Sequence, residues 1–334
     1  MHHRTPGSKG QQGDPHMKTK LTAFLLAALL LLSLGSCGAP AAGSSEEDGV
    51  LTIAATTYPI YEFATYVAGG MDGIEIELVV DQQISCLHDY TLTVDDMRTL
   101  ERADVILING AGLEAFMEDA LATVDVPIID CSEGIELLPY AGHEDHDHSG
   151  GEDESDHYDP HIWMDPNRAI VMMENIARGL AAVDDTYTES DYMSHLMMPS
   201  ANISKMASNW QARFDALPEE QKYLITFHDG FAYLADAFDL TLLKSIEEEA
   251  GSEASAKDIT EIVGMVREYG LPVIFVEENG SDATAKAIQR ETGVEIGTLS
   301  MIMSDGPSYL DAMEQNLQTI YSGLTGEELS ADAQ

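Results

Sequence analysis

Residues 51–80 read LTIAATTYPIYEFATYVAGGMDGIEIELVV. Leu51–Ala55 is a short β-rich run. Pro59–Ala68 follows as a helix, opened by a proline suited to the first helical turn. Ile74–Val80 is a second β-rich run. Strand, helix and strand in one stretch ask for parallel pairing, because a crossover helix brings the second strand back in the same direction.

The same alternation continues outward. Val105–Ile108 and Val126–Ile129 read as further strands. Thr93–Arg102 reads as a helix with Thr93 as N-cap and Asp96 three residues on. Leu113–Val124 repeats apolar residues at helical spacing. A second set begins at Tyr223–Phe227 and continues with Thr241–Leu243, Pro272–Glu277 and Glu295–Leu299 as strands. Its helices are Phe231–Phe238, Ala256–Tyr269, Asp282–Thr292 and Tyr309–Leu324. Between the sets lie a helix over Pro166–Val183, capped by Asp165, and a helical region over Tyr187–Leu217. Pro199 is expected to kink or break the latter. The fold class is therefore α/β: two lobes, each a mainly parallel four-stranded sheet flanked by helices, joined by a long helix.

The N-terminus carries an address. Lys18 and Lys20 precede an apolar stretch, Leu21–Leu34, too short to span a bilayer comfortably. Leu34-Gly35-Ser36-Cys37 then resembles the lipobox of bacterial lipoproteins, which are cut before a cysteine that receives lipid. The expected organisation is a leader upstream of the natural start (1–16), a signal peptide (17–36), and lipidated Cys37 with a flexible tether (37–50). An N-terminal lobe (51–185), a linking helical region (186–217), a C-terminal lobe (218–325) and a polar tail (326–334) follow. The expected location is extracytoplasmic, lipid-anchored to a bacterial membrane through Cys37.

The chain has 334 residues, 44% of them hydrophobic, so it can bury a substantial core. Its formal net charge is −43, with a pI near 4.2. Phosphate binding needs Lys and Arg, so nucleic acid is excluded as a partner. An acidic field of this size concentrates cations, and it also aids solubility. Beyond Cys37 the cysteines are Cys86 and Cys131. They read as an exported disulfide or as two free buried thiols. Cys86, two residues from His88, reads third as a soft metal ligand.

Ligands of parallel α/β sheets bind beyond the carboxyl ends of the strands. Three histidines follow or border structural elements: His88 in SCLHDY shortly after a strand, His161 in DPHIWMDP between the acidic loop and a helix, and His228 in FHDGF immediately after a strand. They come from both lobes and would converge in the cleft between them. Three imidazoles suit Zn2+, and the neighbouring Asp and Pro residues offer acceptors and rigidity. A loop at 142–158, inside the first lobe, adds His143, His146, His148 and His157 among acids and glycines. It has almost no apolar residues, so it reads as a mobile segment that binds metal weakly or serves only as a spacer.

From about Leu51 to Leu324 the chain resembles the zinc- and manganese-binding lipoproteins of bacterial ABC metal importers, the cluster A-I solute-binding proteins. TTYPIYEFA, LHDY, ADVILINGAGLE, DPHIWMDP, FHDGFAYLADAF, IFVEENGSDATAKAIQRETG and IGTL carry the resemblance. It implies two α/β lobes bridged by a rigid helix, with the metal between them and ligands at His88, His161 and His228. The fourth position departs from the family pattern, because Ser300 stands where many members have an aspartate. Water, Glu277 or Asp305 is then the fourth candidate. Glu277 reads slightly better as an acid that supports a ligand. The histidine loop and the missing aspartate point to Zn2+ rather than Mn2+. The implied partner is an ABC permease, the chain a monomer, and the activity capture without catalysis. On this reading the lobes draw together around the ion, and binding weakens below about pH 6, where free imidazole protonates.

Three alternatives stand beside it. A manganese receptor of the same family would share the site, and a surface adhesin would share the anchor. A zinc hydrolase would use three histidines and an activated water, yet the chain has no HExxH, and Asp229 is the base considered beside a ligand. GAGLEAF lacks the third glycine of a dinucleotide fingerprint. The methionine pairs Met172-Met173, Met197-Met198 and Met301/Met303 read as core filling rather than copper ligands.

Overall fold

The computed structural model describes residues 1–2, 49–81, 87, 90–139, 158–247, 255–278 and 282–327. Cys37, Cys86, His88, the four loop histidines and the apolar signal segment lie outside the described residues. Among those described, no helix is long and apolar enough to cross a membrane.

The first sheet is built from β1 (Leu51–Ala55), β2 (Ile74–Leu78), β3 (Val105–Ile108) and β4 (Ile128–Asp130) in the order β2-β1-β3-β4. Every pairing is parallel, with Ile53 opposite both Ile76 and Val105. The second sheet repeats the arrangement with β5 (Tyr223–His228), β6 (Thr241–Glu247), β7 (Val273–Glu277) and β8 (Glu295–Leu299), ordered β6-β5-β7-β8 and again all parallel. In each sheet the strand order reverses beside the first strand. Loops there splay apart and leave a crevice at the carboxyl ends. Thr56 follows β1 and Asn109 follows β3, while His228 ends β5 and Glu277 ends β7.

Helices α1 (Tyr58–Ala68), α2 (Val94–Arg102), α3 (Glu118–Leu121) and α4 (Pro166–Val183) serve the first lobe. Thr93 and Asp96 form a reciprocal capping box on α2. The Asp165 carboxylate accepts from the backbone N–H groups of Asn167 and Arg168 at the start of α4. Helix α5 (Glu189–Asp215) packs on α1 and α4 and also on α9. Helices α6 (Ala232–Ala237), α7 (Ala256–Tyr269), α8 (Ala283–Thr292) and α9 (Tyr309–Thr325) complete the second lobe.

One hydrophobic cluster runs through β1, α1, α4, α5 and α9, so both lobes share it. A smaller one lies between β5, β7, α7 and α8. Buried polar ties add to the shared core. Trp163 Nε1–H donates to the Met301 carbonyl at 2.9 Å, and the Tyr309 hydroxyl donates to the Trp163 carbonyl at 2.7 Å. Tyr309 N–H also donates to Glu62 Oε2 on α1 at 2.9 Å. Val50–Gln334 is accordingly one compact unit.

Three expectations change. Helix α5 runs unbroken through Pro199. Proline removes one donor, but the carbonyl it leaves belongs to exposed His195, where water can satisfy it. Leu113–Val124 is not one helix but a 3-10 turn, Leu113–Met117, followed by α3. Ala111 and Gly112 precede it at φ 53 and 85, and the Glu114 carboxylate folds back onto the turn. Met197 and Met198 are exposed on α5 rather than in the core, unlike Met172, Met173 and Met301.

Candidate metal centre

His161 enters the site on a short segment before α4. The Pro160 carbonyl accepts from Ile162 N–H at 2.8 Å, which closes a tight turn centred on His161 (φ −78, ψ 43). Asn109, at the end of β3, donates from Nδ2 to the same carbonyl at 2.9 Å. Asp159 Oδ1 accepts the His161 N–H at 2.9 Å and stands 2.6 Å from the ring Nδ1. A carboxylate only accepts, so Nδ1 carries the proton and the Nε2 lone pair is left for a ligand.

His228 enters from the other lobe as the last residue of β5. Its Nε2 lies 3.3 Å from His161 Nε2, and the two rings meet edge to face. Glu277, one strand over, has Oε2 at 4.0 Å from His228 Nδ1. Glu277 therefore stands behind the ring, on the side away from His161.

The separation of the two nitrogens can be tested against a metal. Two imidazole nitrogens at roughly 2.0–2.1 Å from one tetrahedral zinc stand about 3.3–3.4 Å apart. A direct N–H···N hydrogen bond would prefer a shorter approach, near about 3.0 Å. The observed spacing fits two donors on one cation better than a donor and an acceptor. Among the described residues no third His, Cys, Asp or Glu joins them in a metal-holding group. His88 lies outside those residues. Asp305 is exposed, and its charge acts on Tyr58.

Asp229 is adjacent in sequence to His228, but its Oδ1 accepts from the Ser245 hydroxyl on β6 at 2.9 Å. Ser300 N–H donates to Asn316 Oδ1, and the Ser300 hydroxyl accepts from Ile302 N–H at 3.2 Å. Cys131 is a buried free thiol whose ionisation is suppressed by burial. At the root of the histidine loop, Pro139 and Tyr158 form an antiparallel bridge.

Sequence reasoning did not single out Asn109, Glu114 or Tyr233, and it read Met301 only as core filling. Tyr233 on α6 donates its hydroxyl to the Asp159 carbonyl at 2.9 Å and accepts from Leu138 N–H. Glu114 accepts from the Thr56 hydroxyl and from the N–H groups of Asn109 and Gly110, so it fixes the turn that carries Asn109. Burial pushes the Glu114 carboxyl up to about 7 against these three donors. A carboxyl raised in the folded state holds its proton more tightly there than in the unfolded chain. Its stabilising contribution is present below the ordinary carboxyl range and lost as pH rises through about 7. Glu114→Gln is therefore expected to remove a decline in stability between about pH 5 and pH 8, on the order of 3 kcal/mol. Urea midpoints of both proteins at the two pH values check it.

The chain was compared with known proteins on this basis. Residues 53–323 match the family model ZnuA, described as zinc-uptake complex component A, periplasmic. The zinc-binding lipoprotein AdcA of Streptococcus pneumoniae is 30% identical over 313 residues, 90% of this chain and 60% of that protein. The chain thus spans about 60% of the length of that relative. The manganese-binding lipoprotein MntA of Halalkalibacterium halodurans is 24% identical over 92% of this chain and its own entire length. The crystal structure of a Zn(II)-bound AdcAII variant of Streptococcus pneumoniae superposes with a TM-score of 0.71 at 28% identity, covering 83% of this chain and 99% of that one.

Proposed function

Because the chain belongs to the family of zinc-uptake complex component A, we propose that it is an extracytoplasmic receptor that captures Zn2+ between its lobes and delivers it to an ABC permease. The observation that carries this reading is the 3.3 Å approach of His161 Nε2 to His228 Nε2, one from each lobe. In this proposal His88 is the third donor, and water or a carboxylate completes the shell. Glu277 supports His228 from behind rather than binding the ion. Asp159 does the same for His161 and holds its tautomer. Asp229, next to His228, accepts from the Ser245 hydroxyl, and the family is one of uptake components rather than enzymes. Capture without turnover follows.

Cys37 is the lipid anchor in this reading, and His143, His146, His148 and His157 form a collecting loop. The loop returns to the fold at Tyr158, three residues before His161, so it would concentrate zinc beside the cleft. In this reading the collecting sites are weaker than the site in the cleft.

Competitive titration of metal-free residues 38–334 with Zn2+ and Mn2+, alongside a variant lacking 143–157, tests the reading. One tight zinc equivalent should survive the deletion while weaker equivalents disappear. A tight site lost with the loop, or preferential manganese binding, overturns it.

A further inference from the structure

The imidazole pair has an apolar wall. Gly230 lies two residues after His228. A Cβ built there would stand 2.5 Å from Met301 Cε, 2.8 Å from His228 Cδ2 and 3.1 Å from His161 Cδ2. The methyl of Met301 and the two ring edges therefore close on one point, with no room for a side chain at 230. Cδ2 is bonded to Nε2, so the point at Gly230 that the methyl borders lies beside the ring edges that bear the donor nitrogens.

Met301 is held in that place. It is buried, and its carbonyl accepts from Trp163 Nε1–H. The next residue, Ile302, has φ 59. A β-branched residue in the left-handed region is strained and persists only where its surroundings over-determine it. Here the Ser300 hydroxyl accepts from Ile302 N–H, and the Asn316 amide grips both the N–H and the carbonyl of Ser300. Met301 is thus buried just ahead of a strained residue, while the Ser300 hydroxyl accepts within its own turn.

We propose that Met301 is a specificity-determining residue of the cleft: its S-methyl closes the side of the imidazole pair where carboxylate or water oxygens would otherwise stand, disfavouring Mn2+ against Zn2+. The inference rests on the reading of the cleft as the metal site. Its chemistry is coordination number. A hard cation such as Mn2+ takes an octahedral, oxygen-rich shell, whereas zinc is satisfied by four donors and accepts imidazole well. An apolar wall also controls how much solvent reaches the ion.

The test compares Zn2+ and Mn2+ affinities of the intact mature protein with those of Met301→Leu, Met301→Asp and Met301→Ala. Co2+ absorption reports coordination number independently of affinity. Leucine preserves the volume, so M301L should keep the wild-type zinc-to-manganese ratio within about threefold and keep intense, four-coordinate Co2+ bands. M301D should lower the ratio by about tenfold or more, in the range that changes beside a metal shell produce, and weaken those bands. M301A should move in the same direction by admitting water, and decides the matter if M301D does not fold. A ratio unchanged in both overturns the inference. So does a tenfold zinc loss in M301L, which would make the sulfur a ligand instead of a wall. His161→Ala in the same series separates the two levels. If it keeps tight zinc, the cleft reading falls with the inference. If it loses zinc while the Met301 variants leave the ratio unmoved, only the inference falls.

Discussion

His228→Ala is expected to lower Zn2+ affinity by more than ~100-fold. Groups that merely orient a ligand cost about 10–100-fold when removed, so loss of a donor itself must exceed that. The side chain is nearly fully buried at the end of β5 and its Nε2 faces His161 across the lobe boundary. Truncation removes half of the only imidazole pair among the described residues. It leaves the β5–β7 register and the Trp163–Met301 tie in place. The metal-free protein should therefore stay folded, and the loss should be seen in competition with a chelator of known affinity, not in the circular dichroism of the apo form. Undiminished tight binding would move the high-affinity site out of the cleft.

Much of the fold could be read from local pattern. The β-rich runs and helical repeats alternate, so parallel sheets follow, and the caps at Thr93 and Asp165 mark helix starts with side-chain acceptors. His228 ends β5, at the carboxyl edge where parallel sheets bind ligands, whereas His161 stands on a short segment before α4. What escaped was non-local. The Met301 methyl and the two imidazole edges all border Gly230, while Ile302 holds a φ of 59, and neither leaves a periodic trace. Asn109 bonds a carbonyl 51 positions away. Pro199 looked like a break because the sequence alone does not say which face of α5 meets water.

Drawing the lobes together around the ion meets resistance from the bonds that tie them. Tyr233 of the second lobe is bonded to the Asp159 carbonyl and to Leu138 N–H of the first. Arg168 on α4 pairs with Asp236 on α6 at 2.7 Å and lies over the Tyr233 ring. With a core shared through α5 and α9, a wide hinge would break several buried hydrogen bonds at once. Each leaves a desolvated partner that costs about 1–3 kcal/mol. Capture by rearrangement of short segments around a fixed frame is the cheaper route.

Trp163 is the side chain on which that frame should depend most, and Trp163→Ala is expected to destabilise the apo protein by about 3–5 kcal/mol. It is fully buried, it contacts the His161 ring at 5.2 Å between centroids, and its indole N–H is the donor to Met301. Trp163→Phe separates shape from bonding. It keeps an aromatic ring but strands the Met301 carbonyl, which should cost about 1–3 kcal/mol. Equilibrium denaturation in urea measures both, and an unchanged slope would show that the native state has weakened without a change in the surface exposed on unfolding. A cost below about 1 kcal/mol for W163A would mean that the pocket collapses around the gap. The joint between the lobes would then be held by the shared helical core alone. The intermediate case is informative too: W163F near wild type with W163A strongly destabilised would place the energy in ring packing. The indole–carbonyl bond would then serve to orient Met301 beside the histidines more than to hold the lobes.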